Sequence, residues 1–120
     1  MSKGKMIALW IVSGLLAAMF LFSGCIKLLH PDMAKPMFVK YGYAAWFATF
    51  IGTCEVLGGI GVLIPQLAGL AASGLTIIMA GAVYTHLSHQ ENSHALVPLV
   101  LMLMCAWVAF VRFRKAPAQR

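Results

Sequence analysis

Apolar residues run through this chain in four long blocks, broken by short polar stretches. The blocks cover residues 6–29, 44–64, 67–87 and 95–113. Each is close to the ~20 residues that an α-helix needs to cross a bilayer, so each predicts a membrane span. The breaks differ in kind. Residues 30–43 form a true loop, Pro65-Gln66 leaves room only for a tight turn, and residues 88–94 are short and polar. Tight connections make consecutive helices antiparallel neighbours. The expected fold is therefore all-α, an integral-membrane up-down four-helix bundle, with residues 1–120 as a single domain. Within the first loop, Met33, Met37 and Tyr41 recur at helical spacing beside Phe38, while Lys35 and Lys40 fall elsewhere. Pro36 suits the first turn of a helix and Gly42 its end. The loop thus predicts a short amphipathic interfacial helix between the first two spans, able to act as a lid.

Composition supports the membrane reading and removes others. The chain is 62% hydrophobic and 10% charged, far from the roughly 25% charged of a soluble domain. Its formal charge of +6 is not a nucleic-acid signal. Lys3, Lys5, Arg112, Arg114, Lys115 and Arg120 flank apolar spans, and no basic face is interleaved with aromatics. An even number of spans puts both termini on one side, and the excess of Lys and Arg there predicts a cytoplasmic side. Lys3 and Lys5 ahead of an apolar run ending in Phe22-Ser23-Gly24-Cys25 imitate a lipoprotein signal. That run is longer than the ~7–15 residues of a signal core, so it is expected to stay as the first span.

Glu55 is the only acidic residue within any span. A carboxylate deep in a bilayer costs several kcal/mol unless paired or protonated, and so marks a functional or architectural site. At about 1.5 Å per residue it lies roughly 16 Å below the outer end of its span. Helical side chains lean toward their own N-terminus. Lys27 and His86, near the outer ends of the first and third spans, therefore lean inward, while Glu55 leans outward. The three are expected to converge as a buried polar cluster or ligand-binding pocket in the outer half of the bundle. The alternatives are a structural ion pair for Glu55, snorkelling for Lys27 and an interfacial place for His86. Small residues at spacing four, including Gly14 with Ala18 and Cys54 with Gly58, suit close helix contact.

Other chemistry is poorly encoded. Cys25, Cys54 and Cys105 are isolated, without a C-x-x-C pair. No metal site, phosphate loop or nucleophile motif stands out. Ser13, Ser73 and Thr76 alone would have to carry an ion through the inner half, which makes transport a weak reading.

Gly24-x-x-Lys27-Leu28, Pro31, and Glu55-x-x-Gly58-Gly59-x-Gly61-x-Leu63-x-Pro65, with Met79, Ala82 and His86, together resemble the DoxX-like family of small four-span membrane proteins. The resemblance runs from end to end. It implies a bacterial inner-membrane protein whose polar set is Lys27, Glu55 and His86, and whose packing glycines are Gly24, Gly58, Gly59 and Gly61. It implies no cofactor by motif and leaves the existence of an enzymatic activity open, because the family is functionally mixed. One member is linked to quinone-dependent thiosulfate oxidation, while distant relatives resemble receptor-assembly chaperones. The leading expectation is an accessory or assembly subunit, without catalysis of its own, acting on a membrane partner or a second copy. The alternative is a redox-associated subunit that binds quinone or a similar lipophile around Glu55, Lys27 and His86. Carriage of a small lipophilic solute comes third. Membrane lipids are the expected surroundings, and nucleic acid is not an expected partner.

Overall fold

The computed structural model describes residues 2–119 of the backbone, with side chains through Arg114. Five helices and no strands occur among the described residues: α1 (Lys3–Leu29), α2 (Pro31–Lys40), α3 (Ala45–Gly61), α4 (Pro65–Ser88) and α5 (Asn92–Gln119). Helix α1 packs on α3 and α5, α4 packs on α3 and α5, and α2 rests on α1 and α3.

Local chemistry sets the boundaries. The Ser2 hydroxyl caps α1 by accepting the Lys5 N–H at 3.1 Å. Pro31 begins α2 and Pro65 begins α4, where a missing N–H costs nothing. Both placements correct the sequence reading. Pro36 lies inside α2 rather than in its first turn, because Pro31 already occupies that position. Pro65-Gln66 is not the turn but the start of α4, and the chain turns through 62–64 instead. Gly42, at φ +92°, ends the α2 region in a conformation that L side chains rarely adopt.

Three helices, α1, α4 and α5, are long and apolar enough to cross a membrane. Helix α3, with 17 residues, is about 25 Å long and falls short of a ~30 Å hydrocarbon core. It meets α2 at a 116° bend. The interior is a continuous apolar cluster that includes Leu9, Leu16, Phe20, Val62, Leu75, Met79, Cys105 and Val108. Large apolar side chains also cover the outside, among them Ile7, Ile11, Leu15, Phe22, Leu57, Leu70, Ile77 and Leu103. In water such a surface would aggregate, whereas in lipid it is solvated.

Candidate ligand pocket and its two polar clusters

The pocket begins with two glycines. A Cβ on Gly24 would stand 2.7 Å from the Gly52 carbonyl oxygen, and one on Gly52 would stand 2.8 Å from the Lys27 Cβ. Their bare backbones therefore let α1 and α3 touch. Lys27 lies three residues beyond Gly24, and Glu55 three beyond Gly52. Their side chains leave the contact on adjoining faces and meet. The Lys27 Nζ lies 2.9 Å from the Glu55 Oε1, and the Glu55 side chain is buried. Lys27 also donates to the Ser23 Oγ at 2.8 Å, and Ser23 donates to the same Glu55 oxygen at 3.2 Å. Ser23 was not singled out from the sequence. The available signal was its i, i−4 relation to Lys27, which puts both on one helix face.

His86 does not join this cluster. Its Nδ1 pairs with the Glu91 Oε1 at 2.9 Å, in the turn between α4 and α5. The three expected residues thus line one cavity without forming one hydrogen-bonded cluster. His86 lies close to the C-terminal end of α4, and Glu91 is five residues away across a turn made sharp by Gln90 at φ 59°. The near carboxylate takes the ring. The Tyr41 hydroxyl donates to the same Glu91 oxygen at 2.6 Å, and Lys40 stands 4.0 Å from the Glu91 Oε2. Hydrogen bonds from Tyr41 and then His86 hold the Glu91 carboxyl down at about 2 against the opposing effect of burial, with smaller help from the Lys40 and His86 charges. The same hydrogen bond, helped by burial and the Glu91 charge, raises Tyr41 above its ordinary value.

A second link joins the chain just after α2 to α4. The Tyr43 hydroxyl lies 2.6 Å from the Thr85 Oγ1. Thr85 uses its one hydroxyl proton on the Gly81 carbonyl at 2.8 Å, so Tyr43 is the donor. Phe38, Tyr43 and Phe47 stack about one another with centroids 5.4–6.2 Å apart.

These parts surround a cavity of about 710 Å³. Lys27, Ser23 and Glu55 line it together with Thr85 and His86, while Phe20, Phe47, Phe50, Ile78 and Leu101 supply apolar wall. Met37, Phe38 and Tyr41 of the α2 segment contribute to the lining as well. A mostly apolar, partly open cavity of this size with a few convergent polar groups has the general form of a small-molecule site.

The packing glycines are committed within the chain. A Cβ on Gly58 would lie 2.6 Å from Leu75 Cδ2, and one on Gly61 2.7 Å from the Ala71 Cβ, both on α4. One on Gly59 would meet Leu21 and the Ala17 carbonyl of α1 at 3.2 and 3.3 Å. Gly14 meets nothing within 4 Å, so the Gly14–Ala18 pair is not a helix contact of this fold.

Residues 11–108 match the DoxX-like family, and the chain belongs to it. Comparison with curated proteins and with solved structures found no significant match. Family membership and the long apolar helices together make this a membrane protein.

Proposed function

We propose that this DoxX-like protein is a membrane subunit that binds a lipophile carrying hydrogen-bonding carbonyls, quinone being the class that fits. The observation that carries this reading is the cavity of about 710 Å³, whose apolar walls meet the Lys27–Ser23–Glu55 cluster. Lys27 has three N–H donors, and Glu55 and Ser23 take two of them. The third is available to a carbonyl oxygen, while the aromatic walls suit a flat ring. The chain supplies binding and orientation here. Any electron transfer would belong to the quinone and to a partner enzyme.

The accessory-subunit reading rested on helix faces of small residues. Gly24, Gly58, Gly59 and Gly61 are covered by the chain's own helices, so geometry gives less support to a partner docked on them. Of the three hydroxyls an ion path would use, Ser73 and Thr76 spend theirs on the Gly69 and Ala72 carbonyls of their own helix, while the buried Ser13 hydroxyl has no partner.

The same reading takes α1, α3, α4 and α5 as an up-down four-helix bundle in a bacterial inner membrane, with both termini cytoplasmic and α2 on the outer face. A C-terminal reporter active only outside the cell would overturn that orientation.

Native mass spectrometry of the detergent-extracted protein tests the ligand. A retained lipophile, or a one-to-one adduct with added short-chain ubiquinone, is expected, and it should weaken on Lys27→Met. Protein that holds no lipophile and gains no adduct with the quinone would sink the proposal.

A further inference from the structure

The second polar cluster does not depend on what fills the cavity, and its geometry suits a different ligand. His86 at the end of α4, Glu91 in the turn and His94 in the first turn of α5 converge within a nine-residue stretch of chain. One ligand atom from each lies within 4.8 Å of the other two. The Glu91 Oε1 is 2.9 Å from the His86 Nδ1 and 3.9 Å from the His94 Nδ1. Ligand atoms on a tetrahedral ion with bonds of about 2.0–2.1 Å stand about 3.3 Å apart, between those two separations. An ion would widen the Glu91–His86 contact slightly and draw in His94, whose side chain is 70% exposed and able to rotate.

We propose that His86, Glu91 and His94 form a site for one divalent transition-metal ion of the zinc class. Two imidazoles and one carboxylate are a borderline donor set, suited to zinc and poorly suited to calcium or magnesium. Tyr41 completes the arrangement from outside. Its hydroxyl, 2.6 Å from the Glu91 Oε1, orients the carboxylate as an outer-shell partner does. His89 is not among the residues whose ligand atoms converge here. Lys40, 4.0 Å from the Glu91 Oε2 and 68% exposed, is a competing cation that can swing into solvent. Three protein donors leave at least one position on a tetrahedral ion for water or a further ligand. The ion would tie α4 to α5 beside the cavity, which His86 also lines.

The test uses the untagged full chain in detergent, stripped with chelator. Zn²⁺ is titrated against a chromophoric chelator, and Co²⁺ is followed by its visible absorption. One ion per chain is expected. Loss of an outer-shell partner alone costs about 10–100-fold in metal affinity, so His94→Ala and Glu91→Gln should each weaken Zn²⁺ by about tenfold or more. His30→Ala should leave the affinity unchanged, and Lys40→Ala should tighten it. His94 is too exposed for its removal to threaten folding. Failure to bind Zn²⁺, or wild-type affinity in His94→Ala, overturns the site. So does an equal loss in His30→Ala, which would mean non-specific histidine binding.

Discussion

Lys27 and Glu55 are an expensive pair to hold in an apolar setting, and the cost shapes what each substitution does. Removing one partner of a buried ion pair leaves an uncompensated charge and costs about 3–5 kcal/mol, whereas replacing both with apolar groups can be nearly neutral. Lys27→Met should therefore destabilise by about 3 kcal/mol, reduced by the partial exposure of the Lys27 side chain at 21%. The double variant Lys27→Met with Glu55→Met should recover most of that loss. Reversible unfolding in mixed micelles measures both. A double variant as unstable as the single one would mean that the pair itself holds the helices together. Recovery of stability with loss of the quinone adduct would assign the pair to the ligand. Glu55 was legible because one acid among apolar residues must be paired, protonated or in use. Ser23 was not, since a serine in an apolar helix usually bonds back to its own backbone, as Ser73 and Thr76 do here.

Helix contacts in this chain are decided by where a side chain is missing. The Gly24–Gly52 crossing is backbone against backbone, so a methyl group at Gly24 has no flexible neighbour to displace toward Gly52 and must push α1 from α3. Gly24→Ala should cost about 1–3 kcal/mol, in the range of overpacked cores, and should loosen the Lys27–Glu55 contact one turn away. Gly14→Ala meets open space and should be neutral or slightly stabilising, since alanine favours helix. Thermal melts of the two variants in one detergent make the comparison, and equal losses would disprove the crossing. Gly42→Ala also meets open space, yet φ +92° makes it a backbone problem, and a loss of about 1 kcal/mol or more is expected from the same melts. The four apolar blocks made the long helices legible to within a few residues, and the Met33–Met37–Tyr41 spacing pointed to α2. The proline positions misled where two prolines competed for one helix start. Gly52 went unnoticed because its role depends on which helix lies opposite, and a single sequence carries no information about that neighbour.

Lys27, Glu55 and His86 line one cavity but bond within two polar clusters, because depth and direction along a helix do not specify rotation about it. Depth put Glu55 well below Lys27 and His86, and only the lean of helical side chains brought the three toward one another. It gave no reason for His86 to choose Glu91, a residue that counted only as loop. That choice links distant parts of the molecule. Tyr41, at the end of α2, reaches the α4–α5 turn through Glu91, and Tyr43, two residues on, reaches α4 through Thr85. Between them these two hydroxyls fasten the α2 segment across the cavity that Met37 and Phe38 help to line. Each is a hydrogen bond with an O···O separation of 2.6 Å, and the one to Glu91 is charge-assisted, hence the stronger. Tyr41→Phe deletes that bond while keeping the ring against His86 and His89. The fold should survive, since the apolar core is untouched, but α2 should open more often. Amide hydrogen exchange should rise in α2 and stay unchanged in α4 and α5. Quinone should also enter and leave faster, with a smaller change in affinity than Lys27→Met produces. Unchanged exchange in α2 would mean that its packing on α1 and α3 is enough to close the cavity, and that Tyr41 serves Glu91 alone.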